Sequence, residues 1–343
     1  MEALRDFFQN RMYGIWRENE QIEYLTENEN TVKILVSKGE KTVSFKVKVN
    51  LPQKEDTKNF ENGCPYIICM HPIQPVDYAL SKGYAVFVLN TYEIASDDIK
   101  HEGCFYDLYP YGQENESQTG VLMAWAWGAS KVIDAVYQGL AEEFGLDASG
   151  AIVTGVSRWG KATAVCGAFD SRVAMTVPAC SGAGGLALYD VTSEGQTYNF
   201  SSVGGPSDYV YGKNEPLECL QSDAERGWFN DRFLDFKAPS DIPIGQEKLA
   251  VMAMAPNRYY FIIAACTGED WVNTPSMWEC YKRALKEYEK EGLGENLVQH
   301  IHLFGHAVIA EDMELMIEYF NKMHYGIETK TDLTCLKKSV FES

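Results

Sequence analysis

One serine stands where a strand should hand over to a helix. In the run Thr154-Gly155-Val156-Ser157-Arg158-Trp159-Gly160-Lys161, the apolar stretch Ala151 to Thr154 leads into Ser157, and a helix is expected to begin just after it. Acyl transfer by serine needs such a turn, because it lifts the hydroxyl clear of the sheet and crowds the backbone so that small residues are required nearby. Gly155, two positions before the serine, meets that need. The general pattern places a second glycine two positions after the serine, where this chain has Trp159, with Gly160 one place later. On that pattern alone, a helix-capping role for Ser157 stands level with a nucleophilic one.

A serine nucleophile needs a base to take its proton. Where the serine sits on a strand-to-helix turn, the base comes late in the chain, and of the six histidines His306 fits best. It follows Gly305 just beyond the apolar run Ile301 to Phe304, where the C-terminal edge of a sheet would present it. His300 and His302 lie before or within that run, His324 falls in a terminal helical stretch, and His71 and His101 precede the serine.

The elements that must position these groups follow from hydrophobic patterning. Thr31 to Val36 is mostly apolar and Lys41 to Val49 alternates, with Ser37 to Glu40 as the turn, which predicts an antiparallel strand pair within residues 1–60. Tyr66 to Met70, Ala85 to Leu89, Ala151 to Thr154, Val173 to Pro178, Tyr259 to Ala265 and Val298 to Phe304 are short apolar runs of the kind buried on both faces of a parallel sheet. Helical spacing separates several of them, at Val76 to Lys82 and from Thr119 to Phe144. The expectation is a single α/β domain over residues 1–343: a doubly wound, mostly parallel sheet with helices on both faces, a three-layer sandwich. The least regular stretch, Asp190 to Pro216, is either a wall of the binding site or a plain surface insertion.

Composition narrows the partners. A net charge of −19 works against nucleic acid and anionic membranes, which attract cationic faces. No apolar run approaches the roughly 20 residues that span a bilayer. Met1 leads into Glu2, Arg5, Asp6 and Arg11 without a signal core, so the chain as written reads as cytoplasmic, and secretion would require a signal removed upstream. Nine scattered cysteines with no Cys-x-x-Cys pair read as reduced thiols. Neither a metal nor an organic cofactor is expected, since histidines and cysteines do not cluster in sequence and no phosphate-binding glycine loop is visible.

The longer motif is more specific. Gly155-Val156-Ser157-Arg158-Trp159-Gly160-Lys161, followed by Ala168-Phe169-Asp170-Ser171-Arg172 and Ser181-Gly182-Ala183-Gly184-Gly185, resembles the glucuronoyl esterase family, carbohydrate esterase family 15, within the α/β-hydrolase superfamily. The likeness runs from about Tyr66 to His306, and it accounts for the shifted glycine. It implies a serine carboxylesterase that hydrolyses esters of (4-O-methyl-)glucuronic acid with alcohols through an acyl-enzyme on Ser157, with His306 as base and Arg158 adding positive charge at the oxyanion. Arg158 has a structural role as its alternative. Many family members carry a glutamate just before Ser-Gly-x-Gly-Gly, where this chain has Cys180, and a thiol cannot replace a carboxylate. Other members place the acid after a later strand, which points to Asp270 first and Glu269 second. Lys161 and Trp271 match positions that contact the uronoyl sugar, with a solvated helix residue and a core residue as their plain alternatives. Glu218 and Glu225 are both candidates for a sugar-binding glutamate. The implied partner is a small-molecule or oligosaccharide uronate ester. The competing readings are a general or acetyl-sugar carboxylesterase and a non-catalytic glycan binder on an esterase scaffold.

Overall fold

The computed structural model describes residues 1–71 and 76–341. A nine-stranded sheet runs through it in the order β1-β2-β3-β5-β4-β6-β7-β10-β11. Its strands are β1 (Gln21–Asn28), β2 (Thr31–Lys38), β3 (Lys41–Asn50), β4 (Cys64–Cys69), β5 (Ala85–Leu89), β6 (Leu146–Val156), β7 (Met175–Ala179), β10 (Tyr259–Thr267) and β11 (Leu297–Phe304). A separate two-residue pair, β8 (Thr197–Tyr198) and β9 (Tyr209–Val210), lies in the irregular stretch.

The strands from β5 through β11 in this order run parallel, whereas β1, β2 and β3 are antiparallel and join the rest through β3 on β5. The predicted strand pair is therefore part of the main sheet. The added strand β1 escapes the sequence pattern because only Ile22 of its eight residues is buried, as suits a charged edge strand. Strands β4, β5, β7 and β10 are buried along their whole length, because helices cover both faces. Helices Val121–Ala135, Arg158–Phe169, Glu247–Met252 and Thr274–Lys290 pack together on one face, and Val76–Ser81 and Ala310–Tyr325 on the other. This is the expected three-layer, doubly wound α/β arrangement. No helix among the described residues is long and apolar enough to cross a membrane.

Parallel strands present all their C-terminal ends at one edge, where loops of such sheets build sites. Ser157 follows β6, Cys180 follows β7, Glu269 and Asp270 follow β10, and His306 follows β11.

Candidate active site

Ser157 caps the helix Arg158–Phe169 with φ 63° and ψ −128°, a conformation that costs a residue bearing a Cβ about 1–3 kcal/mol. Two glycines make the turn fit. A Cβ on Gly155 would come within 2.7 Å of the Trp159 carbonyl oxygen, and one on Gly160 within 2.5 Å of the Ala179 carbonyl oxygen. The second glycine is thus needed where the helix crosses the end of β7. Position 159 is free of that crowding, and Trp159 bonds the buried Thr91 through Nε1 at 2.9 Å and stacks on the buried Trp125.

His306 rests on the carboxylate of Glu269, with Nδ1 at 2.9 and 2.8 Å from its two oxygens. Nδ1–H donates to the carboxylate, and Nε2 is left to exchange a proton with a hydroxyl. Asp270, the first choice for the acid from the sequence, does not meet the histidine, whereas Glu269, the second, does. Its carboxylate accepts from the Tyr209 hydroxyl, 3.1 Å from each oxygen, while the Asn214 amide holds its carbonyl at 2.8 Å. Gly268, at φ 74°, turns the chain after β10 so that Glu269 faces inward and Asp270 faces the β8–β9 segment.

Cys180 completes the contact. Its thiol lies with His306 and Glu269 in a group whose ligand-type atoms are all within 4.8 Å of one another. Burial pushes this thiol well up, and the charge of Glu269 adds to the effect, so the thiol stays protonated beside the carboxylate. Because the Ser157 N–H bonds the Ala179 carbonyl at 2.9 Å, the serine, the thiol and the histidine–glutamate pair converge on the end of β7. A second such group is His300, His302 and Asp312. Both could in principle offer ligands to a metal, but both are already joined internally by hydrogen bonds.

Arg158 is anchored by an ion pair to Asp97 at 2.6 Å and lies over the Trp228 ring at 5.2 Å. Asp97 also accepts from Trp228 Nε1 at 2.6 Å, so one carboxylate orients both groups. Nothing in the sequence singled out Asp97.

Lys161 departs from the expectation of a donor to sugar hydroxyls. Its ammonium bonds the Ser181 and Ala183 carbonyls and, at 2.9 Å, Glu215. All three N–H donors are used beneath the Ser181–Gly185 turn, and the two side chains are only 4% and 5% exposed. Trp271, in contrast, is 42% exposed and not core. Glu218 points to solvent. Glu225 is half-buried, with Oε2 buried and without a protein partner, and burial followed by the nearby Glu215 charge raises its carboxyl above the ordinary range.

A sequence profile described as glucuronyl esterase, fungi, matches residues 34–292. A multidomain esterase of Ruminococcus flavefaciens is 45% identical over 339 residues, covering 96% of this chain and 44% of that protein. A 4-O-methyl-glucuronoyl methylesterase of Podospora anserina is 29% identical over 274 residues, covering 78% and 50%. The chain therefore spans about half the length of these curated relatives. Among solved structures, a carbohydrate esterase family 15 glucuronoyl esterase from Caldicellulosiruptor kristjansonii superposes with a TM-score of 0.89 at 32% identity, covering 100% of this chain and 90% of that one.

Proposed function

The chain belongs to the glucuronoyl esterase family, whose members are carboxylic ester hydrolases of α/β-hydrolase type, and we propose that it cleaves esters of (4-O-methyl-)glucuronic acid with alcohols through an acyl-enzyme on Ser157. The observation that carries this reading is the His306–Glu269 contact at 2.8 Å at the same sheet edge as a serine held at φ 63°.

Ser157 Oγ attacks the ester carbonyl carbon while its proton passes to His306 Nε2. The positive charge that forms on the ring is met by Glu269 through Nδ1–H. The tetrahedral oxyanion lies against the first N–H groups of the helix Arg158–Phe169 and the Arg158 guanidinium, of which Asp97 binds only one edge. Collapse breaks the ester bond, and the alcohol leaves with the proton from His306. Water then attacks the acyl-enzyme by the same route in reverse, releasing the uronic acid and restoring Ser157. Trp271 offers an exposed ring to the sugar. Lys161 shapes the site from below by holding Glu215 and the Ser181–Gly185 turn.

The test is turnover of methyl and benzyl glucuronate, expected for the wild type and lost in Ser157→Ala. Cleavage of acetyl esters with no turnover of these uronates would favour a general or acetyl-sugar esterase. Failure of a fluorophosphonate to label Ser157 would favour a glycan binder.

A further inference from the structure

His306 sits on a short turn, residues 305–309, between β11 and the helix Ala310–Tyr325. Both ends of this turn lead to one carboxylate. Asp312, fully buried, accepts from the Ile309 N–H at 2.8 Å at the far end of the turn. It also meets Nδ1 of His300 at 2.6 Å and Nδ1 of His302 at 3.0 Å. The other nitrogen of His302, Nε2, lies 3.0 Å from the carbonyl oxygen of Gly305, the residue just before His306.

The partners of His302 determine its protonation. A backbone carbonyl can only accept. An ionised Asp312, facing N–H donors from Ile309 and His300, also only accepts. A neutral imidazole carries one N–H and one lone pair, so it could satisfy one of the two oxygens and would set its lone pair against the other. Only the imidazolium donates to both. The groups that face it are Asp312 on the following helix, His300 on its own strand, Glu269 beyond β10 and the Gly305 carbonyl on the turn. Burial alone pushes His302 down. The bond and charge of Asp312, the Gly305 carbonyl and the Glu269 charge together reverse this, so it keeps its proton above the ordinary histidine range. Burial likewise pushes Asp312 up, and the bonds from His300, His302 and the Ile309 N–H outweigh it, leaving it ionised below the ordinary carboxylate range.

We propose that His302 is a positioning residue for the base: its imidazolium, clamped between Asp312 and the Gly305 carbonyl, fixes the turn that carries His306, and loss of its proton on the alkaline side releases that turn. The inference rests on the reading of His306 as the base. A raised folded-state value means that the clamp is complete below the unfolded histidine value and is lost as pH rises through the folded one. The consequence is an alkaline fall in kcat with KM little changed, since no substrate contact is lost.

Two measurements on the full chain decide it. Nitrogen-15 NMR of histidine-labelled wild type, with the His302 signals identified by their loss in His302→Gln, should show both ring nitrogens protonated at neutral pH. They should deprotonate with the midpoint of the alkaline fall in kcat on methyl glucuronate. In His302→Gln, whose amide donates to Gly305 but does not titrate, kcat at neutral pH should drop about three- to tenfold, the value of one hydrogen bond, and the alkaline fall should vanish. A neutral His302 tautomer at neutral pH overturns the proposal, as does an unchanged alkaline fall in the variant. Should the variant not fold, the wild-type midpoints still decide, with the His302 ring signals then identified by through-bond correlation to its sequentially assigned backbone. Continued turnover in His306→Ala would overturn the base assignment, and the positioning role with it, while leaving the charge state of His302 intact.

Discussion

Replacing Glu269 by Gln is the sharpest perturbation of the proposed triad, because it preserves shape and removes only charge. Each carboxylate oxygen lies within 2.9 Å of His306 Nδ1. When the ring takes the serine proton, a unit charge at that distance is worth about 6 kcal/mol at an effective dielectric near 20. The His306 side chain is 44% exposed, so water screens part of this and about 3–5 kcal/mol remains. At about 1.4 kcal/mol per tenfold, kcat should fall about 100- to 4,000-fold. The amide also turns one N–H toward the ring and favours the wrong tautomer, an effect in the same direction. The assay is steady-state hydrolysis of methyl glucuronate beside Asp270→Asn, whose side chain faces Tyr209 and should leave kcat within about threefold, as for a substitution remote from the chemistry. A loss under tenfold in Glu269→Gln, or an equal loss in Asp270→Asn with both variants folded, would refute the assignment.

Gly160→Ala should destabilise the fold by about 1–3 kcal/mol, because its Cβ would meet the Ala179 carbonyl oxygen at 2.5 Å and the Ser181 Cβ at 3.2 Å, and the check is the denaturant midpoint. Lys161→Met should cost about 3–5 kcal/mol by stranding the buried Glu215 carboxylate, again read by denaturation. A rise in KM with unchanged stability would instead show that Lys161 serves the sugar.

The parallel core and the serine turn were legible because they depend on local signals: apolar runs bounded by turn residues, and glycines at places where a Cβ has no room. His306 was legible by its place after a late strand. Choosing between Glu269 and Asp270 was not, because they are adjacent on a loop and their directions depend on the positive φ of Gly268 and on Tyr209, 61 residues away. Lys161 was misread for a similar reason. Its burial depends on Glu215, 54 residues distant at the end of a stretch without a pattern. Asp97 carries no sequence signal at all, since an acid in a polar loop looks the same whether or not it orients an arginine and a tryptophan.

The missing glutamate at position 180 has a physical explanation in the sheet order. Strands β7 and β10 are neighbours, Ala179 pairs with Ile263, and the Cys180 N–H bonds the Ile263 carbonyl at 2.8 Å. A carboxylate can therefore approach His306 from the end of either strand. A thiol is shorter than a glutamate side chain, so Cys180 leaves space for Glu269. This predicts interchange. Cys180→Glu alone would crowd two carboxylates at one ring nitrogen, so that one must take up a proton, and activity should drop at neutral pH. Combined with Glu269→Gln, the same substitution should recover at least about tenfold of the kcat lost by Glu269→Gln, since a restored charge beside the ring is worth more than 1.4 kcal/mol. The double variant must be compared with the single one at equal folded fraction. No recovery in a folded double variant would mean that position 180 cannot reach the ring, and that adjacency of the two strand ends does not make them interchangeable.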